Sequence, residues 1–138
     1  MDKKALIGYV NEIASTTSLS DILVENESSG GRNSKLGKNQ FRTMAELCDK
    51  TKSYEEIKLM MEYKISKGNG WNANIKDNQK CGEVILDYME RIKQNSNEDK
   101  ILENLRYFFG YLYWKATVLV SENKSNNSSY NNARGGRR

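Results

Sequence analysis

Apolar residues recur along this chain at intervals of three and four, the period of a helix that buries one face, while strict alternation is scarce. Ala5, Leu6, Tyr9, Val10 and Ile13 form the first stripe, on a helix predicted to end near Ser15, and Leu19, Ile22 and Leu23 add a short turn. Phe41, Met44, Ala45 and Cys48 share the face of the next helix, with Asn39 placed as its N-cap and Lys50 to Lys52 as its break. Ser53-Tyr54-Glu55-Glu56 has the form of a capping box, in which the Ser53 hydroxyl and the Glu56 carboxylate satisfy backbone donors reciprocally. That helix turns Ile57, Met60, Met61 and Ile65 inward and stops at Gly68-Asn69-Gly70. Cys81, Val84, Ile85, Tyr88, Met89 and Ile92 define a fourth helix. The last begins after Asn95-Ser96-Asn97, with Glu98 and Asp99 complementing its positive end. Ile101, Leu105, Phe108, Phe109, Leu112, Ala116 and Leu119 are its core face, and the pattern persists to about Val120, a length of ~33 Å at 1.5 Å per residue.

The predicted fold is therefore all-α, a compact bundle of about five helices forming one domain over residues 1–121. Two segments fall outside the pattern. Residues 25–37 are rich in serine, glycine and asparagine, bury too little apolar area to offset their ordering entropy, and read as a mobile loop. Residues 122–138, dominated by Asn, Ser, Arg and Gly, read as a disordered basic tail. At 138 residues a single helical core suffices without a metal or disulfide staple. No signal-peptide core opens the sequence and no apolar run approaches the ~20 residues of a membrane span, so a cytoplasmic protein with no membrane partner is expected.

Net charge is +4, a modest excess whose placement matters more than its size. Arg32, Lys35, Lys38 and Arg42 follow one another with no acid between them, and Lys124, Arg134, Arg137 and Arg138 lie in the tail. Such a run serves either a solvated, solubilising surface or the binding of a polyanion. Histidine is absent, which removes the commonest general base, the usual partner of a nucleophilic serine or cysteine, and the commonest metal ligand. Cys48 and Cys81 lie on apolar faces without a second pair, which favours buried thiols over a zinc site. Asp87 and Glu90 share a helix face at i,i+3, but with Arg91 beside them a solvated surface is the plainer reading. The expectation is a binding protein, not an enzyme, with no cofactor and no metal. Tyr107, Tyr111 and Trp114 form a second stripe on the last helix, at i, i+4 and i+7, which suggests that the helix is contacted on two sides, one the bundle and the other open to a partner.

Four segments, in order, resemble the small subunit family of the type III-A CRISPR-Cas effector, the Csm complex. They are Leu36 to Met44, Ile57 to Lys67, Glu83 to Ile92 and the aromatic-rich Leu105 to Thr117, which together span roughly residues 36–120. Lys38-Asn39 stands where that family usually has Thr-Ser, and Lys67 where it has arginine, which keeps the charge but loses bidentate phosphate geometry. The resemblance implies a non-catalytic subunit of a prokaryotic ribonucleoprotein. It would stack with copies of itself beside the backbone and large subunits and line the duplex of CRISPR RNA and target RNA. A subunit that accepts any guide must contact phosphate and ribose, not base edges. Under that implication Lys35, Lys38, Asn39, Gln40 and Arg42 gather RNA contacts around one helix start, Lys64 and Lys67 extend the track, and Tyr107, Tyr111 and Trp114 form a subunit interface.

Overall fold

The computed structural model describes the backbone of residues 1–26 and 35–135 and the side chains of residues 1–26 and 35–125. Its elements, in chain order, are α1 (Lys3–Thr16), α2 (Leu19–Ile22), β1 (Leu23–Val24), β2 (Leu36–Gly37), α3 (Asn39–Lys50), α4 (Tyr54–Lys67), β3 (Asn74–Lys76), β4 (Gln79–Lys80), α5 (Cys81–Gln94), a 3-10 turn (Glu98–Lys100) and α6 (Ile101–Gly135). The mostly helical bundle inferred from periodicity is the observed architecture. α6 is its axis, packed most extensively on α3 and then on α1. Most of the core-facing stripes are where the three-to-four spacing puts them: Leu6, Val10 and Ile13 on α1, Val84, Ile85, Met89 and Ile92 on α5, and Leu105, Phe108, Phe109, Leu112 and Ala116 on α6 are all buried, whereas Ala5 is exposed and Leu119 is half-buried, with Val120 turned inward beside it. Phe108 and Phe109 meet edge to face at 5.4 Å, so the middle of α6 fills the bundle with two rings.

Several local predictions are corrected. Asn39 does not cap α3; it is the first helical residue, Lys38 precedes it in the N-cap position without a capping hydrogen bond from its side chain, and the Phe41 N–H reaches the Lys38 carbonyl at 3.3 Å. At α4 half of the expected capping box forms. The Ser53 hydroxyl accepts from the Glu56 N–H at 3.2 Å, while the Ser53 N–H goes to Thr51 Oγ1 at 3.4 Å. The carboxylate side of such a box appears at α5 instead, where Glu83 Oε1 accepts from the Lys80 N–H at 2.8 Å.

The span 25–37 is not loop throughout. Its far end is a strand residue pair: Leu36, fully buried, lies opposite Leu23, and Gly37 opposite Val24, in a short parallel pairing. One apolar residue in a polar run leaves no periodicity to read, which is why Leu36 was invisible to the pattern. Residues 27–34, the middle of the expected mobile loop, lie outside the described residues.

The segment 71–80 carries the other element that periodicity missed. A two-strand antiparallel hairpin pairs Asn74 with Lys80 and Lys76 with Gln79, turning through Asp77 at φ 53°. Ile75 anchors it in the core, and its carbonyl accepts the Ser18 N–H at 2.7 Å. At the far end, helix α6 does not stop near Val120. The backbone stays helical to Gly135, and polar ties carry it past the apolar pattern: Asn123 Nδ2 donates to the Ser20 carbonyl at 2.9 Å and Lys124 Nζ meets Glu25 Oε2 at 2.7 Å. Residues 136–138 of the expected tail lie outside the described residues.

One polar tie joins α4 to α5. Tyr54 Oη donates to Glu90 Oε1 at 2.7 Å and Lys58 Nζ lies 3.5 Å from the same oxygen. The Tyr54 hydrogen bond, and after it the charges of Lys58 and Lys93, hold the Glu90 carboxyl below its ordinary pKa. A carboxylate depressed in this way stabilises the fold fully above the unfolded-state value of about 4.3 and loses that contribution as pH falls through the folded-state value. Glu90→Gln is therefore expected to lower the urea midpoint at pH 7, with the gap between variant and parent closing as pH drops below about 4. A gap that stays constant across that range would mean that the ionised carboxylate contributes nothing.

Candidate nucleic-acid interface

The seven residues expected to form one RNA track are distributed over three places. Lys35 and Lys38 are held by other elements of the bundle. Lys35 Nζ donates to the Asp21 carbonyl at 2.8 Å, and Lys38 Nζ pairs with Glu25 Oε1 at 3.1 Å with only 13% of its side chain exposed. Glu25 also takes Lys124, and these two lysines, Lys124 first, pull its carboxyl below the ordinary range. Lys35 thus ties the start of β2 to α2, while Lys38 and Lys124 meet at Glu25 and tie the end of β1 to α6. Asn39 is exposed at the first turn of α3.

Arg42 lies on another face. It projects into a groove of about 450 Å³ between α3 and α6, where its Nε is 3.5 Å from Glu46 and where Tyr107, Tyr111 and Trp114 form the opposite wall. Those three rings make a ladder: Tyr107 stacks on Tyr111 at 6.1 Å and 20°, and Tyr111 meets Trp114 at 5.6 Å. Lys3 at 4.8 Å and Arg106 at 4.6 Å sit over the Tyr107 ring, as expected for cations on an aromatic face. Trp114, at 66%, and Val118, at 48%, are left exposed one turn apart. Both acids of this groove have arginine partners, since Asp49 is 3.1 Å from Arg106 as Glu46 is from Arg42 at its longer distance. The predicted interface stripe is therefore a single continuous surface.

The remaining three residues, Gln40, Lys64 and Lys67, converge. They line a hollow of about 150 Å³ together with Tyr63, Asn69 and Trp71. Gln40 comes from the first turn of α3, and Lys64 and Lys67 from the last turn of α4, where cations complement the helix's negative end. Lys64 Nζ donates to Gln40 Oε1 at 3.0 Å, and Lys67 Nζ lies 6.0 Å from the centre of the Tyr63 ring. The hollow thus gathers two lysines and neutral donors between the first turn of α3 and the last turn of α4.

Trp71 is the residue of this site that periodicity could not find. It stands alone after the Gly68-Asn69-Gly70 turn, outside any helix, yet it is 2% exposed and meets Phe41 edge to face at 5.6 Å. The turn places it: Gly68, Asn69 and Gly70 all have positive φ, and the Trp71 N–H returns to the Gly68 carbonyl at 3.1 Å. The Trp71 carbonyl then accepts the Gly82 N–H at 2.9 Å, which fixes the turn to the start of α5. Its indole N–H is buried and has no hydrogen-bond partner among the described residues. A lone tryptophan after a helix-stopping glycine turn was the available signal, because so large a side chain is seldom left in water.

The paired carboxylates Asp87 and Glu90 and the two thiols are engaged within the fold. Asp87 Oδ2 accepts from Gln79 Nε2 at 2.6 Å while Glu90 is bound to Tyr54, so the two carboxylates answer different partners. Burial pushes the thiols of Cys48 and Cys81 up to about 12, the inert form. Among the described residues no cluster of three His, Cys, Asp or Glu is placed to hold a metal ion, and no helix is long and apolar enough to cross a membrane. No family model, no curated protein and no solved structure matches this chain.

Proposed function

We propose that this chain is a non-catalytic RNA-binding subunit, acting in a type III CRISPR RNA-guided effector complex of the prokaryotic cytoplasm. In this reading it grips the duplex of CRISPR RNA and target RNA by sugar and phosphate without regard to sequence. It stands beside the backbone and large subunits and stacks with copies of itself through the aromatic ladder of α6. The observation that carries the reading is the α3–α4 hollow, where Gln40, Lys64 and Lys67 come together. Charge and amide donors of this kind recognise a phosphate backbone, which carries no sequence information. Lys35 and Lys38 are latches of the fold in this account, and Arg42 belongs to the groove.

Fluorescence anisotropy with two labelled RNA duplexes of unrelated sequence tests the proposal. Equal affinities, each weakened by Lys64→Ala, are expected. Affinity for neither duplex, or for one sequence alone, would overturn it. A second reading has its own observation, the 66% exposure of Trp114 beside the stacked tyrosines. In it the chain is a helical protein-interaction module with no nucleic-acid role, and its native assembly would contain a protein bound through Tyr111 and Trp114 and no RNA.

A further inference from the structure

We propose that the outward ridge of α4, formed by Glu55, Leu59, Tyr63 and Lys67, is a docking surface for the same ridge of a second copy of this chain, the two helices running antiparallel about a two-fold axis.

Three observations meet on this helix. The first is that α4 is apolar on two sides. Tyr54, Ile57 and Met61 are buried toward the bundle, while Leu59, 66% exposed, and Tyr63, 56% exposed, point away from it. A single exposed apolar residue is ordinary; two of them four residues apart make a continuous patch on one helix face. The second is that this patch belongs to a longer row. Glu55, Leu59, Tyr63 and Lys67 follow at intervals of four, all exposed, along about 18 Å of helix, and rows of this spacing are the ridges that interlock when two helices pack. The third is the order of its chemistry. The row reads acid, apolar, apolar, base, and neither Glu55 nor Lys67 takes part in an ion pair among the described residues.

That order selects the occupant. In a two-fold contact each residue meets its counterpart reciprocally. With the axis midway between Leu59 and Tyr63, Leu59 of each copy faces Tyr63 of the other and Glu55 of each faces Lys67 of the other. The apolar pairs close at the centre and an ion pair forms at each end. Parallel packing in the same register would set Glu55 against Glu55 and Lys67 against Lys67, and like charges oppose it. The contact is one helix on one helix, which places it among the small, weak interfaces, with a dissociation constant expected in the range of about 10–100 μM. Tyr63 and Lys67 also line the α3–α4 hollow, so a second copy seated on the ridge covers the hollow's rim. Competition between RNA and pairing rests on the function proposed above; the pairing itself does not.

Sedimentation equilibrium of the full chain at low salt, over concentrations that bracket this constant, tests the proposal. The expected result is a monomer–dimer equilibrium that weakens as salt is added. Glu55→Lys alone and Lys67→Glu alone each turn two attractions into two repulsions and are expected to weaken the dimer roughly tenfold. The double variant restores opposite charges at both ends and should regain most of the parent's affinity. Leu59→Ser, at an exposed position where folding is little affected, should weaken the dimer as well. A monomer at every concentration would overturn the pairing. So would a dimer indifferent to the charge exchanges but lost in Trp114→Ala, which would place the contact at the α6 ladder. Repeating the measurement with an RNA duplex separates this inference from the RNA reading. A charge-sensitive dimer that RNA dissolves into monomers upholds both. A charge-sensitive dimer with no affinity for RNA upholds the pairing and overturns the RNA reading, and a monomer that binds RNA does the reverse.

Discussion

Trp71→Ala is expected to lower the stability of this protein by about 3–5 kcal/mol, the range for removing a large aromatic side chain from a core. The residue is 2% exposed, packs on Phe41, and ties the end of α4 to the start of α5 through its backbone, so little around it is free to collapse into the space. A domain of this size holds about 5–15 kcal/mol in total, so the variant should be close to unfolding at ambient temperature. Trp71→Phe should cost less, because the smaller ring loses area but also removes the unpartnered N–H. Urea denaturation followed by circular dichroism measures both. A loss for the alanine variant below about 1 kcal/mol would show that Trp71 is not part of the core.

Gly70→Ala is the second large effect. Gly70 has φ +95°, where an L residue is strained, and a β-carbon there would lie 2.6 Å from the backbone nitrogen of Leu36 and 2.6 Å from the carbonyl carbon of Lys35. The obstacle is backbone, which cannot rotate aside as the end of a side chain can. Strain and collision together are expected to cost about 2–4 kcal/mol, and the turn must move away from β2 to admit the methyl group. Because the same turn positions Asn69 and Trp71, RNA affinity should fall as well. Gly8→Ala is the matched control: its added β-carbon meets nothing within 4 Å in the middle of α1, and alanine there should stabilise by about 0.5–1 kcal/mol. Thermal melts of the two variants side by side check the pair. Equal midpoints would contradict the close approach of the Gly70 turn to β2.

How much of this was legible in advance depended on whether a residue had neighbours of its own kind at helical spacing. Leu6, Val10 and Ile13, or Leu105, Phe108, Phe109 and Leu112, reinforce one another along one helix, so their burial followed from period alone. Leu36, Trp71 and Ile75 each stand singly in polar surroundings and are buried by contacts made across the fold: Leu36 by pairing with Leu23, Trp71 by the turn that closes on α5, Ile75 by the hairpin that reaches Ser18. No local pattern encodes such contacts.

The candidate site was legible to the same partial degree. Charge along the chain marks where cations are, not what they touch. Lys38 and Lys35 stood in a run without acids, yet Glu25 and the Asp21 carbonyl reach them from earlier elements. Gln40 and Lys64, twenty-four residues apart, meet because α3 and α4 bring the start of one helix to the end of the other. Arg42 and Trp114 were assigned to different surfaces, and the packing of α3 on α6 places them in one groove. The spacing of Tyr107, Tyr111 and Trp114, by contrast, translated directly into a ladder, because all three are on one helix.

If RNA is held by phosphate contacts at the α3–α4 hollow, as proposed, the salt dependence of binding must carry their signature. Each phosphate contact contributes roughly 0.7–0.9 to the slope of log affinity against log salt concentration. Lys64→Ala combined with Lys67→Ala is expected to give a slope shallower than the parent's by about 1.4–1.8, the same for two unrelated RNA sequences. An unchanged slope, with affinity retained on both sequences, would contradict it.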